Sequence, residues 1–93
     1  MKQIPQDCAS YKQTPVFTEA TIPAGLLKRH KTKAGVWGKI VVLEGALTYR
    51  ILEPATENHE LSPNQVGVVE PTVPHEVALL GPVKFYVEFL TRA

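Results

Sequence analysis

The sequence predicts an all-β protein, a small antiparallel β-barrel or sandwich. Three observations carry this: short apolar runs with two-residue alternation, glycine and proline between them, and no helical periodicity. Ile40-Val41-Val42-Leu43 is a β-branched run, and Leu47, Tyr49 and Ile51 alternate with Thr48 and Arg50. Val66, Val68 and Val69 form a third run around Gly67, and Val83, Phe85, Val87 and Phe89 alternate with Lys84, Tyr86 and Glu88. Alternation of this kind gives a strand one buried and one wetter face. Turn residues bound each run: Pro23-Ala24-Gly25, Glu44-Gly45, Ser62-Pro63-Asn64, Pro71, Pro74 and Gly81-Pro82. Several short strands punctuated this way read as a sandwich or barrel. No stretch of a dozen residues carries apolar positions at i, i+3, i+4 and i+7, so no long helix is expected.

The elements follow in order. Residues 1–14 are polar and read as a leader or an edge strand. Leu26-Leu27 reads as a strand leading to His30. Glu44-Gly45 reads as a hairpin turn between Leu43 and Ala46-Leu47, because glycine supplies the positive φ of tight turns. Thr56 to Glu60 is polar and reads as a loop with a solvated His59. The eight prolines are expected at strand ends, where the missing N–H breaks no ladder bond.

Ninety-three residues make one domain, 1–93. A chain this short buries about 60% of the surface its unfolded form exposes. A shared apolar face would add to that modest core, so a homodimer is expected. Ten basic and nine acidic residues leave a net charge of +1. That balance gives no reason to expect nucleic acid or an anionic membrane as partner. The basic run Lys28-Arg29-His30-Lys31-Thr32-Lys33 lacks interleaved aromatics and reads as a solvated loop. Cys8 is the single cysteine, so no intrachain disulfide forms, which suits a reducing compartment. There is no apolar run of membrane-spanning length and no signal-peptide pattern, so the expected location is the cytoplasm.

Histidines are the residues best suited to chemistry. His30 and His75 each stand at the mouth of an apolar segment, where an imidazole can face inward and stay near solvent. Trp37, between Gly35 and Gly38, reads as pocket wall or core. Lys33 and Lys39 are possible attractors for an anion.

The order of these features resembles a known family. Val42-Leu43-Glu44-Gly45-Ala46-Leu47 looks like the strand-turn-strand of the first cupin motif. Ser62 to Val77, closing on Pro74-His75-Glu76-Val77, resembles the second. Thr14 to Glu19, Pro23 to His30, and above all Ala34-Gly35-Val36-Trp37-Gly38-Lys39 are similar to the YeaR/TehB-like cupin family, as is Phe85-Tyr86-Val87-Glu88-Phe89. The resemblance covers nearly everything from residue 11 onward. It implies a double-stranded β-helix, or jelly-roll, fold linked to tellurite resistance or to nitrate and nitrosative stress. In TehB-type proteins such a domain can precede a methyltransferase. This chain has no glycine-rich loop after a strand, so that chemistry is not expected of it.

The resemblance also implies inward imidazoles that bind a divalent metal, here zinc, iron or nickel. The first cupin motif usually offers two histidines and a glutamate; only His30 answers, with Trp37-Gly38 about where the glutamate belongs. Glu88 and Glu70 are the candidates for a third ligand. Glu88 is preferred, because its neighbours are nearly all apolar and a carboxylate there needs a partner. If the phenylalanines fill the interior, alternation turns Glu88 outward. Three functions fit this set: a stress-response domain binding a metal with a small ligand or oxyanion, a metal-dependent dioxygenase or isomerase, or a regulatory β-domain with a vestigial pocket. His59 and Tyr49 are the only further titratable groups that an enzyme could use.

Overall fold

The computed structural model describes residues 1–93 and is all-β. Its strands are β1 (Cys8–Gln13), β2 (Phe17–Thr18), β3 (Trp37–Ile51), β4 (Glu57–Leu61), β5 (Gly67–Val69) and β6 (His75–Arg92). All pairings are antiparallel. The sheet runs β1-β6-β3-β4, with β2 also on β6 and β5 also on β3, and it does not close on itself. No helix is long and apolar enough to cross a membrane.

Two long strands organise everything. β3 and β6 pair along nearly their whole length, from Trp37 opposite Leu90 to Ile51 opposite His75. The ladder shifts register between Val42 and Glu44 and again between Gly45 and Leu47. At this corner Gly45 has φ +78° and Gly81 φ +119°. The corner divides each long strand in two. One half of β3 (Gly38 to Ile40) pairs with β5, and the other (Leu47 to Ile51) pairs with β4. The Glu19 carboxylate accepts a hydrogen bond from the Val83 N–H at 2.9 Å beside the corner.

The alternating runs do what their period dictates. Ile40, Val42, Leu47, Tyr49 and Ile51 on β3 are buried with Val77, Val83, Phe85 and Val87 on β6. Leu61 and Val69 complete this core. Gly67 is there for space: a Cβ would lie 2.6 Å from Leu61 Cδ1.

Four local expectations are corrected. Glu44-Gly45 is no hairpin turn, because β3 continues through it; the positive φ serves a bulge at which the paired strands bend. Pro82 accordingly lies inside β6, at the same corner, and not at a strand end. Leu26-Leu27 belongs to a 3-10 turn, Ala24–Leu27, begun at Pro23, whose carbonyl accepts from the Leu26 N–H at 3.0 Å. Glu57–Leu61 is a strand and not a loop. It is polar because it is an edge, and only Leu61 is buried.

Candidate functional site

The N-terminal end of β6 carries His75, and the segment after the 3-10 turn carries His30. The two form an antiparallel bridge. The His30 N–H donates to the His75 carbonyl at 2.9 Å, and the His75 N–H donates to the His30 carbonyl at 2.8 Å. Directly opposed residues of an antiparallel pair project to the same side. The imidazoles therefore meet, with ring centroids 5.4 Å apart and ring planes at 78°. A third backbone bond, Thr72 N–H to Thr32 carbonyl at 3.2 Å, fixes the same segment.

Both rings line a cavity of about 240 Å³. Its walls come from the inward positions of the long strands, Ile40, Val77, Phe85, Val87 and Phe89, with Leu26 of the 3-10 turn at one side. Its two threonine hydroxyls are already engaged. Thr14 Oγ1 accepts from the Val87 N–H at 3.0 Å and donates to the Pro15 carbonyl at 2.9 Å. Thr32 Oγ1 donates to the Val36 carbonyl at 2.8 Å. Both hydroxyl protons are thus committed, which leaves the threonines as acceptors only and the imidazoles as the side chains of this cavity suited to a metal.

His75 is only 5% exposed. Its Nδ1 lies 3.1 Å from the Val73 carbonyl oxygen. A carbonyl only accepts, so in this contact Nδ1 carries the proton and the lone pair is on Nε2. Burial holds the His75 pKa below the usual imidazole value, and His30 adds to the depression, against the opposing pull of the Val73 carbonyl. A neutral ring with a fixed tautomer is what a metal ligand or a hydrogen-bond acceptor requires. Tyr49 backs the ring edge-on at 5.7 Å and 69°. The Tyr49 hydroxyl donates to the Val68 carbonyl at 3.0 Å, and burial raises its pKa.

The other candidates stand elsewhere. Phe85, Val87 and Phe89 face the cavity, so Glu88 projects from the other side of β6, where it is opposite Lys39 of β3 and Gln13 of β1. Glu70 pairs with Lys2 at 3.4 Å. Trp37 is half-buried opposite Leu90 and does not line the cavity. His59, expected in solvent, is half-buried on β4 opposite Tyr49, with Nε2 3.2 Å from Glu57 Oε1. No group of three or more His, Cys, Asp and Glu side chains converges to hold a metal. For a resident metal the cavity thus offers two donors, and further donors would have to come from water or a ligand. Sequence reasoning did not find Thr14, Leu26 or Thr32 as parts of the site. Nothing local marks them, because they meet the histidines only through pairing with β6 and its flanks.

Comparison with known proteins gives the family. Residues 12–87 match the TehB-like domain. Over 78 residues the chain is 39% identical to a Haemophilus influenzae (strain ATCC 51907 / DSM 11121 / KW20 / Rd) protein named "Probable S-adenosyl-L-methionine-dependent methyltransferase TehB". That alignment covers 76% of this chain and 26% of the relative. YeaR of Escherichia coli (strain K12) is 38% identical over 73 residues, covering 75% of this chain and 59% of its own. The crystal structure of Haemophilus influenzae TehB superposes with a TM-score of 0.87 at 30% identity, over 94% of this chain and 32% of that one. A crystal structure of an Escherichia coli (strain K12) protein superposes with a TM-score of 0.90 at 25% identity, over 100% and 99% of the two chains. The chain therefore spans about a quarter of TehB and about three fifths of YeaR, and it belongs to the TehB-like domain family.

Proposed function

We propose that this TehB-like domain is a small-ligand-binding cupin of a tellurite- or nitrosative-stress response, in which His30 and His75 bind one divalent metal ion at the polar end of the cavity. The observation that carries the reading is the bridge that sets two imidazoles side by side in an otherwise apolar cavity. The tautomer of His75, with its lone pair on Nε2, supports it. Imidazole suits zinc, nickel and iron alike. Two protein donors leave several positions to water and to the ligand, and such an open site favours recruiting a ligand over sealing a structural ion. Glu88, on the other side of β6, is not needed for this arrangement.

The test is metal content of untagged protein loaded with zinc, nickel or anaerobic iron(II) and then dialysed. About one ion per chain should remain at neutral pH and be lost on acidification, as protons compete with the ion for the imidazoles. His30→Ala and His75→Ala should lose it, while Glu88→Ala and His59→Ala keep it. Retention of well under one ion by the wild type, or equal retention by the histidine variants, overturns the proposal.

A further inference from the structure

A second depression, about 290 Å³ and more open, lies against the first. His30, Thr32 and Phe89 line both, so the two adjoin at these residues, and the more open one is taken as the vestibule of the inner cavity. The vestibule is basic: Lys12 of β1 and Lys31 and Lys33 of the His30 segment line it, and no acidic residue does. These three lysines are exposed, and none takes part in an ion pair. Of the other cationic side chains, Lys2, Lys84, Arg29, Arg50 and Arg92 are paired with carboxylates, and Lys28 and Lys39 are not. The lysines come from two distant stretches of chain, so no single sequence run explains the cluster. Beyond them the inner cavity offers Val77, Phe85, Val87 and Phe89.

Resting on the reading of this cavity as a ligand site, we propose that its ligand is an amphipathic organic anion, with an apolar body in the inner cavity and a carboxylate-like head in the vestibule among His30, Lys12, Lys31 and Lys33. An apolar wall rewards burial of hydrocarbon and gives nothing to a bare hydrated oxyanion. A concave basic mouth focuses field on an approaching anion and attracts its charged end. The inner volume, at the small end for ligand pockets, limits the body to a few carbons or a single ring.

Hexanoate, hexanol and inorganic phosphate separate the contributions, titrated into the whole chain by calorimetry and by amide chemical-shift mapping, with a chelator present. Hexanoate should bind and shift the amides of Val77, Phe85 and Val87. Hexanol, matched in tail, should bind about tenfold more weakly, in line with three exposed charge contacts. Phosphate should not shift those amides. Lys12→Gln/Lys31→Gln/Lys33→Gln should bring hexanoate down to hexanol's affinity and leave hexanol unchanged. Raising salt to about 0.5 M should weaken hexanoate alone. Equal binding of hexanoate and hexanol, insensitivity of hexanoate to the lysine substitutions, or no amide shift with either probe overturns the proposal. The chelator keeps the outcomes distinct: hexanoate binding without metal upholds the anion site even if the histidines bind no ion, and metal retention without hexanoate binding refutes the anion site alone.

Discussion

Gly45 tests whether the corner of the sheet is a bulge packed between strands or an exposed turn. In a tight hairpin turn, asparagine replaces glycine well, because its side chain tolerates the left-handed region. Here φ is +78°, and a Cβ would lie 2.2 Å from the Pro82 carbonyl oxygen and 3.1 Å from Val83 Cα, both backbone. Any side chain at all must push β3 from β6. Gly45→Ala meets a left-handed penalty of about 1–2 kcal/mol and an overpacking cost of about 1–3 kcal/mol. A total near 3 kcal/mol corresponds to a Tm lower by about 12–24 °C in a domain of this size. Gly45→Asn is spared part of the first penalty and none of the second, so it should fall by about 2 kcal/mol or more. Gly35, at φ +80° with nothing within 4 Å of its virtual Cβ, is the matched control. Gly35→Asn should stay within about 1 kcal/mol of wild type. Urea and thermal melts followed by circular dichroism read all three. Gly45→Asn within 1 kcal/mol of wild type, at an unchanged m-value, would refute the packed corner.

The remaining expectations concern the site and the assembly. The folded pKa of His75 is depressed, so neutral His75 favours the fold: its contribution is fully present above pH 6.5 and is lost as pH falls from there through the lower folded value. Urea midpoints should drop over that acidic window more steeply in wild type than in His75→Gln, and parallel profiles would count against it. Tyr49→Phe removes the donor to the part-buried Val68 carbonyl and should cost about 0.5–1.5 kcal/mol, read as a shifted urea midpoint; no shift would show that the carbonyl is satisfied otherwise. A homodimer is expected, because Leu43 and Leu80 stay half exposed on neighbouring strands near the corner; monomeric mass by light scattering at tens of micromolar speaks against it.

Strand positions were legible wherever one face is buried and the other is not. Leu47, Tyr49 and Ile51 alternate because the sheet is wet on one side, and Phe85, Val87 and Phe89 do likewise. The edge strand Glu57–Leu61 escaped, since an edge needs no apolar alternation. The corner was misread because a left-handed glycine serves a turn and a bulge equally, and only the partner strand decides. The same limit applies to the site. Each histidine's position at the mouth of an apolar run was visible, and the bridge does bring them together. The orientation of Glu88 hinged on which way the phenylalanines face, a fact of packing across the sheet. Lys12 joins Lys31 and Lys33 only because β1 lies along β6.

The place of β6 in the sheet bears on how the chain is made. It is the strand against which β1, β2 and β3 all align, yet its residues, 75–92, leave the ribosome after theirs. Cys8 waits for Arg92, and the two histidines join only when residue 75 has emerged. At about 5–20 residues per second, the first three strands spend seconds without their common partner. Pairings so distant along the chain place folding in the slow, millisecond-to-second range of small β proteins. During synthesis β3 therefore lacks both its β6 ladder and the core side chains of that strand, and an unpaired edge of this kind is open to aggregation until residues 75–92 have emerged.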